Sequence, residues 1–386
     1  MLRISRTAIL LVFVVIVAVL ALPALLARRN GLRPPQLVAP AGAVGGFARA
    51  TPGYTPAFPQ DFGPHLDFQT EWWYYTGNVE TSDGRHFGYE LTFFRRALAP
   101  TGQQQNRLSA WATDQIYMAH FALTDVGERR FHAFEHFARG AAGLAGAQPA
   151  PYRVWLENWS VEEVAPHKRR LRATEGAIAI DLLLTDSKGP ILEGDRGYSQ
   201  KGPDQGDASY YYSFTRLVSE GTVELAGKVY QVNGSSWMDH EWSTSALAAD
   251  QVGWDWFALQ LDDGSELMLY HIRRADGSID PFSSGMLIGA DGSTRRLSAG
   301  DFTISNTATW RSPHSGATYP ARWIIALPTA GLSLTIEPYL ADQELNLSFT
   351  YWEGAVLVSG QHGGRTVHGD GYVEMTGYAA SMQGQF

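Results

Sequence analysis

The stretch that most narrows the possible structures of this chain is Glu71-Trp72-Trp73-Tyr74-Tyr75-Thr76-Gly77-Asn78. Four consecutive aromatics follow an acid and precede a turn pair. Exposing so much ring area to water is unfavourable, which argues against an ordinary surface. An ordinary two-faced strand suits it no better, because alternation sends half of the rings outward. Two environments remain: a strand buried on both faces, or a barrel strand with one face lining a ligand cavity. A related block recurs as Gly253-Trp254-Asp255-Trp256-Phe257.

The surrounding sequence reads as β almost throughout. Runs rich in Tyr, Trp, Phe, Thr and Val predict strands at Phe87–Phe94, Tyr117–Leu123, Tyr152–Val161, Ala177–Leu184 and Tyr210–Leu217. Further strands are expected at Trp254–Leu261, Glu266–Ile272, Arg322–Leu327, Leu332–Pro338 and Gly354–Ser359. Asp83-Gly84, Asp263-Gly264, Asp276-Gly277 and Asp291-Gly292 mark hairpins, since Asp-Gly supplies the positive φ of tight turns. Helical periodicity is weak, with a short helix expected at most near Ser243–Ala249. Many short strands joined by hairpins indicate antiparallel barrels or sandwiches.

An internal echo suggests two such units. Tyr74 to Asp83-Gly84 and on to Arg95-Arg96 resembles Trp254 to Asp263-Gly264 and on to Arg273-Arg274. Small residues cluster at 243–252 and would form the boundary. The expected organisation is a leader over 1–27, a linker over 28–57, one β-barrel over 58–245 and a second over 246–386.

The leader reading rests on Arg3 and Arg6 followed by an apolar run from Ala8 to Ala27. This is the pattern of an export signal, and the run is nearly long enough to span a bilayer. The expectation is a periplasmic or secreted protein, with the leader either cleaved or kept as an inner-membrane anchor over residues 8–27. Any membrane contact would be through this N-terminal segment. The net charge of -9 argues against a nucleic-acid partner. The chain has 0 cysteines, which removes disulfides, thiolate metal sites and a cysteine nucleophile.

The densest polar cluster is Ser235-Ser236-Trp237-Met238-Asp239-His240-Glu241-Trp242-Ser243. On a strand, Trp237, Asp239 and Glu241 share one face while Met238, His240 and Trp242 share the other. A carboxyl held among apolar rings has its pKa raised and becomes an acid near neutral pH, and His240 could move a proton. The same cluster could equally be a buried hydrogen-bonded corner where two units meet. Asp255 lies on the opposite face from Trp254 and Trp256. If the indoles pack between units it points into its barrel, as a proton donor or as the partner of an inward arginine. Glu71 raises the same question in the first block. His132-Ala133-Phe134-Glu135-His136 matches the H-x-x-E-H zinc pattern, but that pattern needs a helix and the context here is strand. No metal is expected there. Neither a G-x-S-x-G elbow, nor a phosphate loop, nor a dinucleotide fingerprint is present.

Three blocks together, Glu71–Asn78, Ser236-Trp237-Met238-Asp239-His240-Glu241-Trp242 and Gly253–Phe257, resemble signatures of the carotenoid 1,2-hydratase (hydroxyneurosporene synthase)-like family. They are most similar to its branch of secreted "predicted hydrolases". Tyr351-Trp352-Glu353-Gly354 and Gly369-Asp370-Gly371-Tyr372-Val373-Glu374 also fit. The resemblance covers roughly Phe58 to Gly377. It implies an all-β fold of two tandem lipocalin-like barrels, a hydrophobic or polyene ligand, and addition of water to a C=C bond without a cofactor. Such chemistry needs a Brønsted acid, aromatic faces that stabilise a carbocation, and a water.

The expected proton-handling groups are Asp239, His240, Glu241 and Asp255, with Trp73, Tyr75, Trp237, Trp242, Trp254, Trp256 and Tyr270 contacting the ligand. A non-catalytic lipid or lipoprotein carrier working with an ABC-type membrane transporter is the main alternative. Ester or amide hydrolysis is a third, although no nucleophile is recognisable.

Overall fold

Alternating buried and exposed positions turn nearly every apolar run of this chain into a strand. The structure, a computed structural model, describes residues 45–103, 109–244 and 247–382. The leader, the first part of the linker and the residues from Ser245 to Ala246 lie outside the described residues.

The first sheet contains β1 (Thr70–Glu80), β2 (His86–Ala97), β3 (Gln115–Asp125), β4 (Arg130–Arg139), β5 (Ala145–Pro149), β6 (Tyr152–Leu156) and β7 (Trp159–Ala165). It continues with β8 (Lys168–Glu175), β9 (Ile178–Asp186), β10 (Ile191–Leu192), β11 (Tyr198–Gln200), β12 (Ala208–Leu225) and β13 (Lys228–Ser243). Its order is β4-β3-β2-β1-β13-β12-β9-β8-β7-β6-β5, with β10 and β11 paired to β12. The second sheet contains β14 (Gln251–Leu261), β15 (Glu266–Arg274), β16 (Ser284–Ile288), β17 (Thr294–Ser298) and β18 (Thr303–Arg311). It is completed by β19 (Thr318–Leu327), β20 (Leu332–Pro338), β21 (Glu344–Asn346), β22 (Thr350–His362) and β23 (Arg365–Met375). Its order is β17-β16-β15-β14-β23-β22-β20-β19-β18, with β21 on β22. The fold is all-β: the first sheet curls into a near-closed barrel and the second into a half-barrel.

The echo in the sequence is an echo in topology. In each sheet the first strand pairs with the next strand on one side and with the last on the other: β1 with β2 and β13, β14 with β15 and β23. The Asp-Gly turns behave as expected, with φ of 84° at Gly84 and Gly264. The single run predicted at Tyr152–Val161 is instead two strands, β6 and β7. Glu157 adopts φ 54° between them, a left-handed position that the apolar composition of the run conceals. No helix joins the sheets among the described residues around Ser243–Ala249.

Both curled sheets are filled inside. Trp73, Tyr75, Trp159, Tyr212 and Trp242 belong to the first core, and Phe257, Trp323, Trp352 and Val373 to the second. A buried side chain of this size contributes roughly 1.5–3 kcal/mol, so the rings form cores and not the walls of an open lumen. A third apolar cluster lies where the outer faces of the two sheets meet, built from Tyr74, Tyr211, Trp237, Trp256, Met268 and Tyr372. The sheets come close at Gly88: a Cβ placed there would stand 2.4 Å from the Ala355 Cβ.

Candidate functional site

Strand alternation decides which side chains reach the seam between the sheets. On β13, Trp237, Asp239 and Glu241 face the second sheet, while Met238, His240 and Trp242 fill the first core. β1 divides in the same way. Trp72 and Tyr74 look into the seam, whereas Trp73 and Tyr75 look into the core. A pocket opens at one end of the seam, lined by Tyr74, Tyr211, Trp254, Trp256, Tyr270 and Tyr351 and by four carboxyls, Asp239, Glu241, Glu353 and Glu374. The space within it open to the centre of a water molecule is about 80 Å³, that of a narrow slot.

The carboxyls come from both sheets. Asp239 accepts from Trp237 Nε1 at 2.6 Å, Ser213 Oγ at 2.6 Å and Tyr211 Oη at 2.7 Å. Burial nevertheless pushes its pKa up to about 7. Behind it lies Glu193, fully buried, with Oε1 3.0 Å from the same Ser213 hydroxyl. One hydroxyl hydrogen cannot serve two carboxylates, so the Glu193 carboxyl holds its own proton and donates it to Ser213. Burial, then the charge of Asp239, drive its pKa upward in accord.

On the opposite wall, Glu353 and Glu374 are cross-strand partners on β22 and β23. Burial, then the like charges of Glu90 and Glu374, hold Glu353 well above the carboxylate range. Burial brings Glu374 to about 7 although Trp254 Nε1 donates to it at 2.8 Å. Glu90 stands close by on β2, with neither carboxyl oxygen bonded, and burial raises it to about 8. Neighbouring carboxyls in a desolvated site cannot all ionise. Glu241 is different, because Lys201 pairs with it directly.

Of the residues expected at a site, Asp239, Glu241, Trp254, Trp256 and Tyr270 line this pocket. Trp237 lies beneath it, orienting Asp239. Trp73, Tyr75 and Trp242 do not reach it and pack inside the first core, because their parity on β1 and β13 points them inward. Asp255 also points inward, but into the second half-barrel, where Arg273 Nε is 3.1 Å and Tyr378 Oη 3.1 Å from its carboxylate. It is the partner of an arginine, one of the two readings its spacing allowed.

His240 lies in a buried polar chain of the first barrel. Its Nε2 donates to Glu71 Oε1 at 2.8 Å and its Nδ1 accepts from Tyr212 Oη at 2.9 Å. Burial lowers its pKa to about 4, so the ring is neutral at physiological pH. His65 Nδ1 reaches the same Glu71 oxygen at 2.7 Å, and Arg95 Nε takes the other at 2.7 Å. Burial opposes charge on Glu71, but Arg95 and His65 outweigh it and keep the carboxyl ionised. His65, Glu71 and His240 bring ligand-type atoms within 4.8 Å of one another. In the structure those atoms bond directly to each other, pinning residues 61–71 across the end of the barrel. His132, Glu135 and His136 sit on strand β4, where parity sends Glu135 to the face opposite both histidines.

Glu90, Glu193, Glu353, Glu374, Tyr74, Tyr211, Tyr351 and Lys201 escaped the reading of the sequence. A signal existed: the blocks Tyr351–Gly354 and Gly369–Glu374 each carry a glutamate on a strand. Only the pairing of β22 with β23 shows that the two acids are neighbours.

Fold and site together define a tandem lipocalin-like protein with an acid-lined, aromatic-walled pocket between its barrels. The AttH-like family profile matches residues 49–378, and the chain belongs to that family. An AttH protein of Nitrosomonas europaea is 36% identical, over 86% of this chain and 100% of its own, with a TM-score of 0.76. Kievitone hydratase of Nectria haematococca shares the fold at 16% identity, 87% and 97% coverage and a TM-score of 0.63. CghA does so at 13% identity, 91% and 98% coverage and a TM-score of 0.52. No curated protein sequence matches the chain. The resemblance read from the tryptophan-rich blocks agrees with membership of the AttH-like family.

Proposed function

We propose that this protein is a cofactor-independent hydratase or isomerase that works by acid–base chemistry on an uncharged, slender, apolar molecule held between the barrels. The observation that carries the reading is the pair of opposed carboxyl groups, Asp239 on one wall and Glu353 with Glu374 on the other, in a slot otherwise walled by aromatic rings. Protonated Glu353 gives its proton to one carbon of a C=C bond. The carbocation left at the other carbon faces the rings of Tyr74, Trp254 and Trp256, whose π-faces favour positive charge. Asp239, whose charged form is supported by three donors, takes a proton from water as the hydroxyl adds. One C–H and one C–O bond form, the π bond is lost, and a proton has passed from Glu353 to Asp239. Loss of a proton in place of water addition gives isomerisation. The likeness in fold to kievitone hydratase supports this class of reaction.

The test is turnover of isoprenoid alkenes and tertiary alkenols by wild type, Asp239→Asn and Glu353→Gln, with binding followed separately by tryptophan quenching. Loss of turnover by about 100-fold or more with binding retained is expected in both variants. Binding without turnover in the wild type would leave the carrier reading, which the apolar walls alone satisfy. The leader-like segment Ala8–Ala27 supports an exported protein, and cell fractionation checks it.

A further inference from the structure

The apolar lining of the slot continues beyond its walls. Phe94 stands in a cross-strand row that runs Trp72, Phe94, Met118, Phe137 across β1, β2, β3 and β4. Directly opposed residues of neighbouring strands carry their side chains on one face of the sheet, so the row is a continuous apolar track. Trp72 and Phe94 line the slot, Met118 is 8% exposed, and Phe137, on the edge strand β4, is 39% exposed. The track thus leads from the slot to the molecular surface.

The neighbouring row on the same face, nearer the strand ends, runs Thr70, Arg96, Ile116, Arg139. Nε and Nη1 of Arg96 are buried without a hydrogen-bond partner, and Nη1 of Arg139 donates to the Trp111 carbonyl at 3.5 Å. Neither guanidinium has an ion-pair partner among the described residues.

Beyond these rows the chain turns, and the turns carry more apolar surface. Leu66 precedes β1, Leu98 follows β2 and Trp111 precedes β3; all three are exposed, Trp111 to 58%. The Leu98 N–H donates to the Asp114 carbonyl at 2.8 Å and the Thr101 hydroxyl to the Leu66 carbonyl at 3.3 Å, so these turns lie together. Gly46 is beside them: a Cβ placed on it would stand 3.2 Å from Pro100. The leader-like run Ala8–Ala27 is therefore joined, through residues 28–44, to the end of the first barrel where the slot lies. Single apolar residues scattered over a surface need no explanation. Four at one end, continuous with an apolar slot and bordered by unpaired arginines, do.

We propose that this end of the first barrel docks on a phospholipid bilayer, with Leu66, Leu98, Trp111 and Phe137 at the acyl boundary and Arg96 and Arg139 at the phosphates, so that apolar molecules enter the slot from the bilayer. Tryptophan and leucine suit the boundary depth, and arginine reaches phosphate oxygens while its stem stays in apolar surroundings. Docking stands on the surface alone. Entry from the bilayer rests on the function proposed above. A leader acts as a tether in this arrangement, and the face sets which end of the barrel meets the lipid.

The chain has 0 cysteines, so one introduced cysteine reports one site. Leu98→Cys, Trp111→Cys and Phe137→Cys, each in the full chain, are labelled with a nitroxide and mixed with phosphatidylcholine–phosphatidylglycerol vesicles. Val218→Cys and Ile324→Cys are the controls. Both sites are exposed, Val218 in register with Asn78 at the far end of β1 and Ile324 on the second half-barrel. Labels at 98, 111 and 137 are expected to be relaxed more by oxygen, which collects in the bilayer, than by a water-soluble nickel complex, and the controls to show the reverse. Water-like values at all five sites overturn docking, and so do lipid-like values at all five. Entry is tested with Leu98→Glu and Trp111→Glu combined. Its KM for an isoprenoid alkene supplied in vesicles is expected to rise about tenfold or more, with kcat unchanged and detergent-dispersed alkene turned over as by wild type. An unchanged KM in vesicles overturns entry from the bilayer. Absence of turnover in the wild type overturns the function proposed above, while the labels still decide docking.

Discussion

At the scale of single residues, the seam acids set the response to pH. Glu90, Asp239 and Glu374 carry folded pKa values near 8, 7 and 7 against model-peptide values near 4 to 4.5. The folded state therefore binds more protons than the unfolded state between those limits, and stability falls as pH rises through the folded values. His240 and His271, both lowered to about 4 by burial, act in the opposite sense, but only below about 6.5. In the window from about 6.5 to 8.5 the acids are joined by His65, whose pKa is raised by Glu71 and Asp61 against the effect of burial and which acts in the same sense. Thermal unfolding is expected to move to lower temperature across that window, and Glu90→Gln to flatten the slope. A midpoint that rises over the same range contradicts the assignment. Glu71 makes the contrasting case. Glu71→Gln strands Arg95, which is 1% exposed, and is expected to cost about 3–5 kcal/mol in urea unfolding.

Elements explain what could and could not be read from the chain. Strand existence, the Asp-Gly hairpins and the two-face division of Trp237–Trp242 were legible because period-two alternation and positive-φ turns are local properties. The direction of each face was not. β1 is buried on both sides, so its composition cannot tell the barrel interior from the seam, and Trp73 looks the same in sequence as Tyr74. The site was hidden for a further reason: its acids come from β13, β22 and β23, whose register is set by distant pairing. The contact of β2 with β22 offers a test at this scale. Gly88→Ala puts a methyl 2.4 Å from Ala355 Cβ and is expected to destabilise by about 1–3 kcal/mol. Ala355→Gly in the same chain should recover part of the loss, a coupling that a double-mutant cycle reads directly. Strict additivity would mean that the sheets do not meet there.

For the whole molecule, the two barrels act as one body because their outer faces bury each other. Gln260 of β14 donates to the Thr215 and Ser236 carbonyls at 2.7 and 3.0 Å, and the fully buried Glu266 takes Lys188 at 2.7 Å. Residues 45–244 expressed alone would expose Tyr74, Tyr211 and Trp237, an apolar patch that favours association. That fragment is expected to aggregate or to bind hydrophobic dyes strongly, and a well-behaved monomer with native near-ultraviolet dichroism would contradict the shared core. With both barrels filled and the seam lined by acids, the proposed function puts the ligand at the junction between the two barrels and not inside either one. The most direct test of that account is turnover of a terminal isoprenoid alkene in heavy water. The expected product carries one carbon-bound deuterium and a water-derived hydroxyl, and Glu353→Gln abolishes both while the alkene still binds. Equal deuterium incorporation in wild type and Glu353→Gln would contradict it.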